Sequence, residues 1–215
     1  MIKAVLFDFD GTLVDTNNLI LQSWQHTFRT LAGREEDEAV LLKTFGEPLR
    51  ETLERFFPEN PDLAGETYRG FQFSHYNEYL EIYDGILDML KALREKGIRL
   101  AVVTSRLERS AMLYMDVFGI RDEFETIVSV EDTEGHKPGP EPCLCALERL
   151  GIQPEEAIMV GDSRLDILCA QNAGVRGVLV EWSMAQSTGP SGCNPEFTVA
   201  KPEDIVSLKE KLQNN

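Results

Sequence analysis

Cationic side chains are scarce in this sequence: 21 lysines and arginines stand against 37 aspartates and glutamates, a formal net charge of -16. That balance speaks against nucleic acid and anionic membrane surfaces as partners, because both reward a basic face. It also means that an anionic ligand must be met by locally placed cations. Cysteine is sparse too, with thiols at Cys143, Cys145, Cys169 and Cys193. Cys143 and Cys145 stand two apart in a helical pattern, so their side chains diverge, and no second pair lies near enough in sequence to complete a zinc site. Reduced thiols in a cytoplasmic protein are the expectation. No apolar run is long enough to span a bilayer, and Met1-Ile2-Lys3 leads straight into a strand without a signal-peptide pattern.

What is present is an ordinary core. Hydrophobic residues make up 42% of 215, enough for one large domain or a domain with a smaller insertion. Three short apolar runs share one grammar: Ala4–Phe7, Leu100–Val103 and Ala157–Val160. Each reads as a buried strand that ends in polar residues. Thr126–Val130 and Val178–Val180 are weaker strand candidates. Helical patterns alternate with them, from Ile86 to Leu93, Leu107 to Phe118, Glu141 to Leu150 and Asp166 to Asn172, with a final surface helix over Glu203–Leu212. Alternation of this kind predicts an α/β fold with a Rossmann-like, mostly parallel sheet. The stretch 16–82 breaks it, with four helical patterns (Leu19–Leu31, Glu36–Thr44, Leu49–Phe57, Thr67–Leu80) and no convincing strand. It predicts a small helical domain inserted after the first strand, leaving 1–15 and 83–215 as the α/β core. Residues 187–194 read as a polar loop.

The first strand ends in Asp8-Phe9-Asp10-Gly11-Thr12. Side chains alternate along an extended chain, so Asp8 and Asp10 converge. Two carboxylates beside an apolar strand repel and lose hydration, which calls for a cation or a shared proton. Gly11 permits a sharp turn or a close approach. Three more pieces follow later strands: Thr104-Ser105, His136-Lys137-Pro138 and Gly161-Asp162-Ser163-Arg164-Leu165-Asp166. In open α/β sheets, ligands bind beyond the carboxyl ends of the strands, where these residues lie.

Taken together, the four pieces resemble the haloacid dehalogenase superfamily of phosphohydrolases, over essentially the whole chain and in the right order. The resemblance implies an aspartyl-phosphate mechanism with Asp8 as nucleophile and Asp10 as proton carrier. It implies Mg2+ held by Asp8, Asp162 and the backbone carbonyl of Asp10, with Asp166 orienting that shell. Thr104, Ser105 and Gly11 would bind the phosphoryl oxygens, and Lys137 would neutralise charge. The second aspartate separates this chain from the dehalogenases, whose halide leaving group needs no proton.

The inserted helices resemble the family's helical cap. Phe45-Gly46-Glu47-Pro48-Leu49-Arg50 is similar to the cap loop of phosphoglycolate phosphatases. Arg50 would clamp a second anionic group, or pair with Glu54 one helical turn on. Asp15–Ile20, His26-Thr27 and Tyr68-Arg69 with Phe71 and His75 resemble a bacterial pyrophosphatase branch. Pyrophosphate or phosphoglycolate is therefore the expected substrate. His26 and His75 read as ligand contacts or as packing residues, and Trp24, Phe71 and Phe73 as core of the inserted helices. A sugar-phosphate phosphatase or a β-phosphoglucomutase-like phosphotransferase is the alternative. Ile20 stands where the mutases carry a histidine, which counts against them. A non-catalytic binding protein on the same scaffold would have lost a catalytic acid or the lysine, and none is lost. Oligomeric state has no signature here.

Overall fold

A computed structural model describes residues 1–183 and 193–213. Its centre is strand β1, Ala4–Phe7, buried along its whole length. It pairs in parallel with β4 (Arg99–Val103) on one side and β6 (Ala157–Gly161) on the other. A strand with both faces and both edges covered must be apolar throughout, which is why Ala-Val-Leu-Phe shows no alternation. Outward from the centre lie β5 (Thr126–Val128), β7 (Arg176–Val180) and β8 (Phe197–Val199), giving one parallel sheet in the order β5-β4-β1-β6-β7-β8.

Alternate residues feed two cores. Val5, Phe7, Leu100, Val102, Ile158 and Val160 pack with α5 (Ile86–Glu95), α6 (Glu108–Phe118) and α9 (Pro202–Gln213). Ala4, Leu6, Ala101, Val103, Ala157 and Met159 pack with α7 (Glu141–Leu150) and α8 (Arg164–Asn172). The result is the expected α/β sheet with helices on both faces.

The inserted helices are α1 (Asn17–Ala32), α2 (Glu38–Leu42), α3 (Leu49–Phe56) and α4 (Pro61–Tyr79). They carry a separate apolar cluster of Trp24, Phe28, Leu41, Leu53, Ala64 and Tyr68. Two two-residue strands, β2 (Val14–Asp15) and β3 (Glu81–Ile82), run antiparallel where the chain leaves and re-enters the sheet region. Sequence patterning does not predict β2, β3 or β8, and it starts α4 at Thr67 rather than Pro61. Two or three residues are too few to show a period, and Gly65 and Gly70 lower the helical propensity of α4. The polar stretch 187–194 lies outside the described residues except for its last two positions. Among the described residues, no helix is long and apolar enough to cross a membrane.

Candidate active site

β1 pairs with different neighbours on its two edges, so the chain reverses direction of sheet growth at its carboxyl end. That is the crevice where a doubly wound sheet binds ligands. Phe7 is in register with Val102 and Val160. Asp8 therefore lies level with the strand ends that lead into Thr104 and Asp162.

Asp8, Asp162 and Asp166 come together as a buried triad, each offering a carboxylate oxygen within 4.8 Å of the others. The cation that meets them is Lys137, buried and divided between two of them. Its Nζ donates to Asp8 Oδ1 at 2.7 Å and to Asp166 Oδ1 at 2.6 Å. Asp166 spends its other oxygen on α8 itself, accepting from the backbone N–H of Ser163 at 3.0 Å and from its hydroxyl at 2.6 Å. This is a capping box, so the helix start fixes the carboxylate that fixes Lys137. Asp162 Oδ2 accepts from Ser183 Oγ at 2.5 Å.

Burial governs the electrostatics. It pushes the Asp8 carboxyl up to about 7; Lys137 works against that rise, while Asp166 and Asp10 add to it. Asp162 is raised well above the usual carboxylate range, first by burial and then by the charges of Asp8 and Asp166. Burial also opposes the charge on Lys137, yet Asp166 and Asp8 outweigh it and the lysine is raised. Three acids and one lysine leave a surplus of negative charge in a dry pocket. Hard oxygen donors this close, with uncompensated charge, fit a divalent cation.

Two glycines make the packing possible. Gly11 has φ +77, and a Cβ there would lie 2.0 Å from Asp162 Oδ2. A Cβ on Gly161 would lie 2.3 Å from the Cβ of Asp166. Any larger residue at either place would push an acid out of the triad. The backbone N–H of Gly11 is itself spent on Val14 O at 2.9 Å, so its visible role is this close approach rather than donation to a ligand.

Asp10 stands apart from the triad. It accepts Thr16 Oγ1 at 2.6 Å and a fork from Arg106, with Nε at 3.2 and 3.0 Å from its two oxygens and Nη2 at 2.5 Å from Oδ1. Sequence reasoning missed Arg106. Its only signal is its place directly after Thr104-Ser105, because its partner lies 96 residues away. Thr104 Oγ1 accepts from the backbone N–H of Arg106 at 3.1 Å, which leaves the hydroxyl proton to donate. Ser105 Oγ lies 3.5 Å from the carbonyl oxygen of Gly46, in the loop between α2 and α3.

Over these residues is a cavity of about 820 Å³, walled by the sheet ends below and by α1, α3, α4 and the 44–48 loop above. Five cations, Arg50, Arg69, Arg106, Arg109 and Lys137, line it beside five acids. In a chain with nearly twice as many acids as cations, that is a local enrichment of positive charge. Arg50 reaches the rim, but its guanidinium is tied to Glu54 and Asp62. Ile20 lines the wall and carries no acid–base group. His26 and His75 each stack on Phe71, at 4.9 and 4.1 Å between centroids, and neither lines the cavity. Trp24 is buried in the helical cluster, whereas Phe73 is 60% exposed and faces the cavity rather than a core. Cys143 and Cys169 meet as buried thiols, 3.4 Å apart, between α7 and α8.

A family model described as haloacid dehalogenase-like hydrolase matches residues 5–180. The chain belongs to this family. The chain is similar to "Putative pyrophosphatase PpaX" of Clostridium perfringens, 39% identical over 214 residues and covering 100% of both chains. "Pyrophosphatase PpaX" of Halalkalibacterium halodurans is 35% identical over 207 residues, 96% of each. Among family structures, a "putative phosphoglycolate phosphatase" from Lactobacillus plantarum superposes with a TM-score of 0.87 at 27% identity, over 97% of this chain and 99% of that one. The protein is accordingly a phosphatase of the haloacid dehalogenase-like family.

Proposed function

We propose that the protein is a Mg2+-dependent phosphohydrolase acting through an aspartyl-phosphate on a small anionic substrate, with inorganic pyrophosphate first and 2-phosphoglycolate second. The observation that carries the reading is the buried Lys137 shared by Asp8 and Asp166, with Asp162 completing a carboxylate triad within 4.8 Å. The preference for pyrophosphate is supported by end-to-end similarity to proteins named pyrophosphatase.

Asp8, Asp162 and the carbonyl of Asp10 would hold the ion, with Asp166 behind them. When bound, Mg2+ supplies the positive charge that lets an anionic phosphate approach an anionic nucleophile. The residues do the rest. An Asp8 oxygen attacks phosphorus while the bond to the leaving oxygen breaks, and Asp10 gives that oxygen a proton. Asp10 then takes a proton from water, the water oxygen attacks phosphorus, and the acyl-phosphate bond breaks to return Asp8 and release phosphate. Lys137 and the Thr104 hydroxyl stabilise the transferring oxygens, and Lys137 keeps Asp8 ionised against its burial. Residues 16–82 act as a cap that excludes water during this sequence, on a core of 1–15 and 83–215. Their separate apolar cluster supports that division. A cytoplasmic location belongs to the same proposal and is supported by the close unbonded thiols of Cys143 and Cys169.

Phosphate release is the test, over a panel of pyrophosphate, 2-phosphoglycolate, several sugar phosphates and p-nitrophenyl phosphate, with Mg2+ or with chelator. Turnover that needs Mg2+, vanishes in Asp8→Asn and is fastest on pyrophosphate is the expected result. Metal-independent turnover, or full activity in Asp8→Asn, would overturn the mechanism. Pyrophosphate turning over no faster than the aryl ester would remove the substrate assignment alone.

A further inference from the structure

We propose that Arg106 is the receptor for a second anionic group on the leaving side of the substrate, and so selects phosphoryl donors whose leaving half is already ionised. The inference rests on the phosphohydrolase reading above and deepens it.

Position comes first. If Asp10 protonates the leaving oxygen, the leaving half must sit against Asp10. The guanidinium bonded to both Asp10 oxygens is then within reach of that same half. Arg106 lines the cavity, yet its side chain is only 8% exposed. A cation this dry interacts with an arriving anion far more strongly than a solvated one.

Its surroundings aim it. The guanidinium carbon lies 4.6 Å over the ring of Tyr114. Nη1 donates to Gln72 Oε1 at 3.3 Å, and Gln72 Nε2 donates to Tyr68 OH at 3.1 Å. Gln72 and Tyr68 are buried on α4, so the fork is oriented from the inserted helices as well as from the sheet. Three of the other cavity cations are placed differently. Lys137 is divided between two acids of the triad, Arg50 is tied to Glu54 and Asp62, and Arg109 lies over the Phe73 ring at 5.8 Å.

The planar fork that now grips the Asp10 carboxylate matches a phosphate or a carboxylate equally well. An ionised leaving half offers Arg106 a replacement partner. As the guanidinium turns to it, the Asp10 oxygens are released toward the leaving oxygen. A leaving half without charge offers no replacement, and Asp10 stays gripped. Pyrophosphate and 2-phosphoglycolate are donors of the first kind; p-nitrophenyl phosphate, before cleavage, is of the second.

The test compares kcat/KM for these three substrates in wild type, Arg106→Gln and Arg106→Lys at saturating Mg2+. Arg106→Gln is expected to lose about 10–100-fold more on the two anionic donors than on the aryl ester, the range for one hydrogen bond to a charged group. Arg106→Lys keeps the charge without the fork, holds the fold together, and loses by a smaller factor in the same order. Inhibition by methylenediphosphonate should weaken in both variants while inhibition by inorganic phosphate changes less. Equal losses on all three substrates would mean that Arg106 acts only by holding Asp10, and would overturn the inference. So would a wild-type preference for the aryl ester over both anionic donors. Failure of the underlying reading looks different: wild type turns over none of the three. Calorimetric binding of methylenediphosphonate to wild type and Arg106→Lys then decides, with equal affinities refuting the role.

Discussion

Lys137→Met is the sharpest probe of the buried charge cluster. The lysine side chain is 3% exposed and lies 2.7 and 2.6 Å from oxygens of Asp8 and Asp166. Methionine fills a similar volume but brings no charge, so three buried carboxylates lose their cation. Removing one partner of a buried pair costs roughly 3–5 kcal/mol, because the other partner stays buried and uncompensated. For a chain of this size each kcal/mol shifts the melting temperature by about 2–4 °C, which predicts a fall of about 6–20 °C in metal-free protein. The loss has a pH signature. Burial already raises Asp8 to about 7 against the pull of Lys137, and removing the lysine raises it further. A carboxyl raised in the folded state makes that state bind more protons than the unfolded one, so stability rises as pH falls. The gap between variant and wild type should therefore shrink from pH 8 to pH 5. Scanning calorimetry in chelator at both values measures it. A variant within about 1 kcal/mol of wild type at pH 8 would refute the claim that Lys137 balances ionised buried carboxylates, since removing the cation shared by Asp8 and Asp166 leaves two buried acids without it.

Asp8→Asn should abolish phosphate release while raising metal-free stability at pH 8 by roughly 1–3 kcal/mol, since a neutral side chain avoids the burial penalty; a thermal melt checks the sign. Gly11→Ala should destabilise by roughly 1–3 kcal/mol through its left-handed φ alone. The same Cβ displaces Asp162, so its Mg2+ dependence should shift to higher concentration in titrated turnover assays. Arg50→Ala removes only exposed pairs with Glu54 and Asp62, so stability should move by less than about 1 kcal/mol. Its kcat/KM on pyrophosphate should stay within about threefold of wild type, well short of the loss at Arg106.

What the sequence reveals divides along physical lines. β1, β4 and β6 are legible because central parallel strands are apolar end to end, and Asp8, Asp162 and Thr104 because each directly follows one of them. α7 is legible to the residue, bounded by Pro140 and by Gly151 at its carboxyl cap. Edge strand β8 carries three residues with one exposed, too weak a pattern to read. The site residues that escape notice are those whose meaning is a distant partner. Arg106 matters because of Asp10 and Gln72, and Ser183 because of Asp162. Nothing local marks Ser183, and Arg106 is marked only by its place directly after Thr104-Ser105. For His26 and His75, which read as ligand contacts or as packing residues, the structure shows packing on Phe71.

The short β2–β3 ladder sets Val14 against Ile82 and Asp15 against Glu81, so the two ends of a long helical excursion lie side by side. An excursion whose ends nearly touch is replaceable, because the gap it leaves is one a tight turn closes. The sheet, the triad and Lys137 contribute no backbone to it. Evolution or an engineer is thus free to exchange everything between the two strands as a cassette, changing what the enzyme accepts without re-solving how it cuts. The contacts such a graft must rebuild include hydrogen bonds of Thr16 to Asp10, Asn17 to Tyr83, Gln72 to Arg106 and Gly46 to Ser105, and the packing of Leu19, Phe71, Tyr76 and Tyr79 on the sheet-side core.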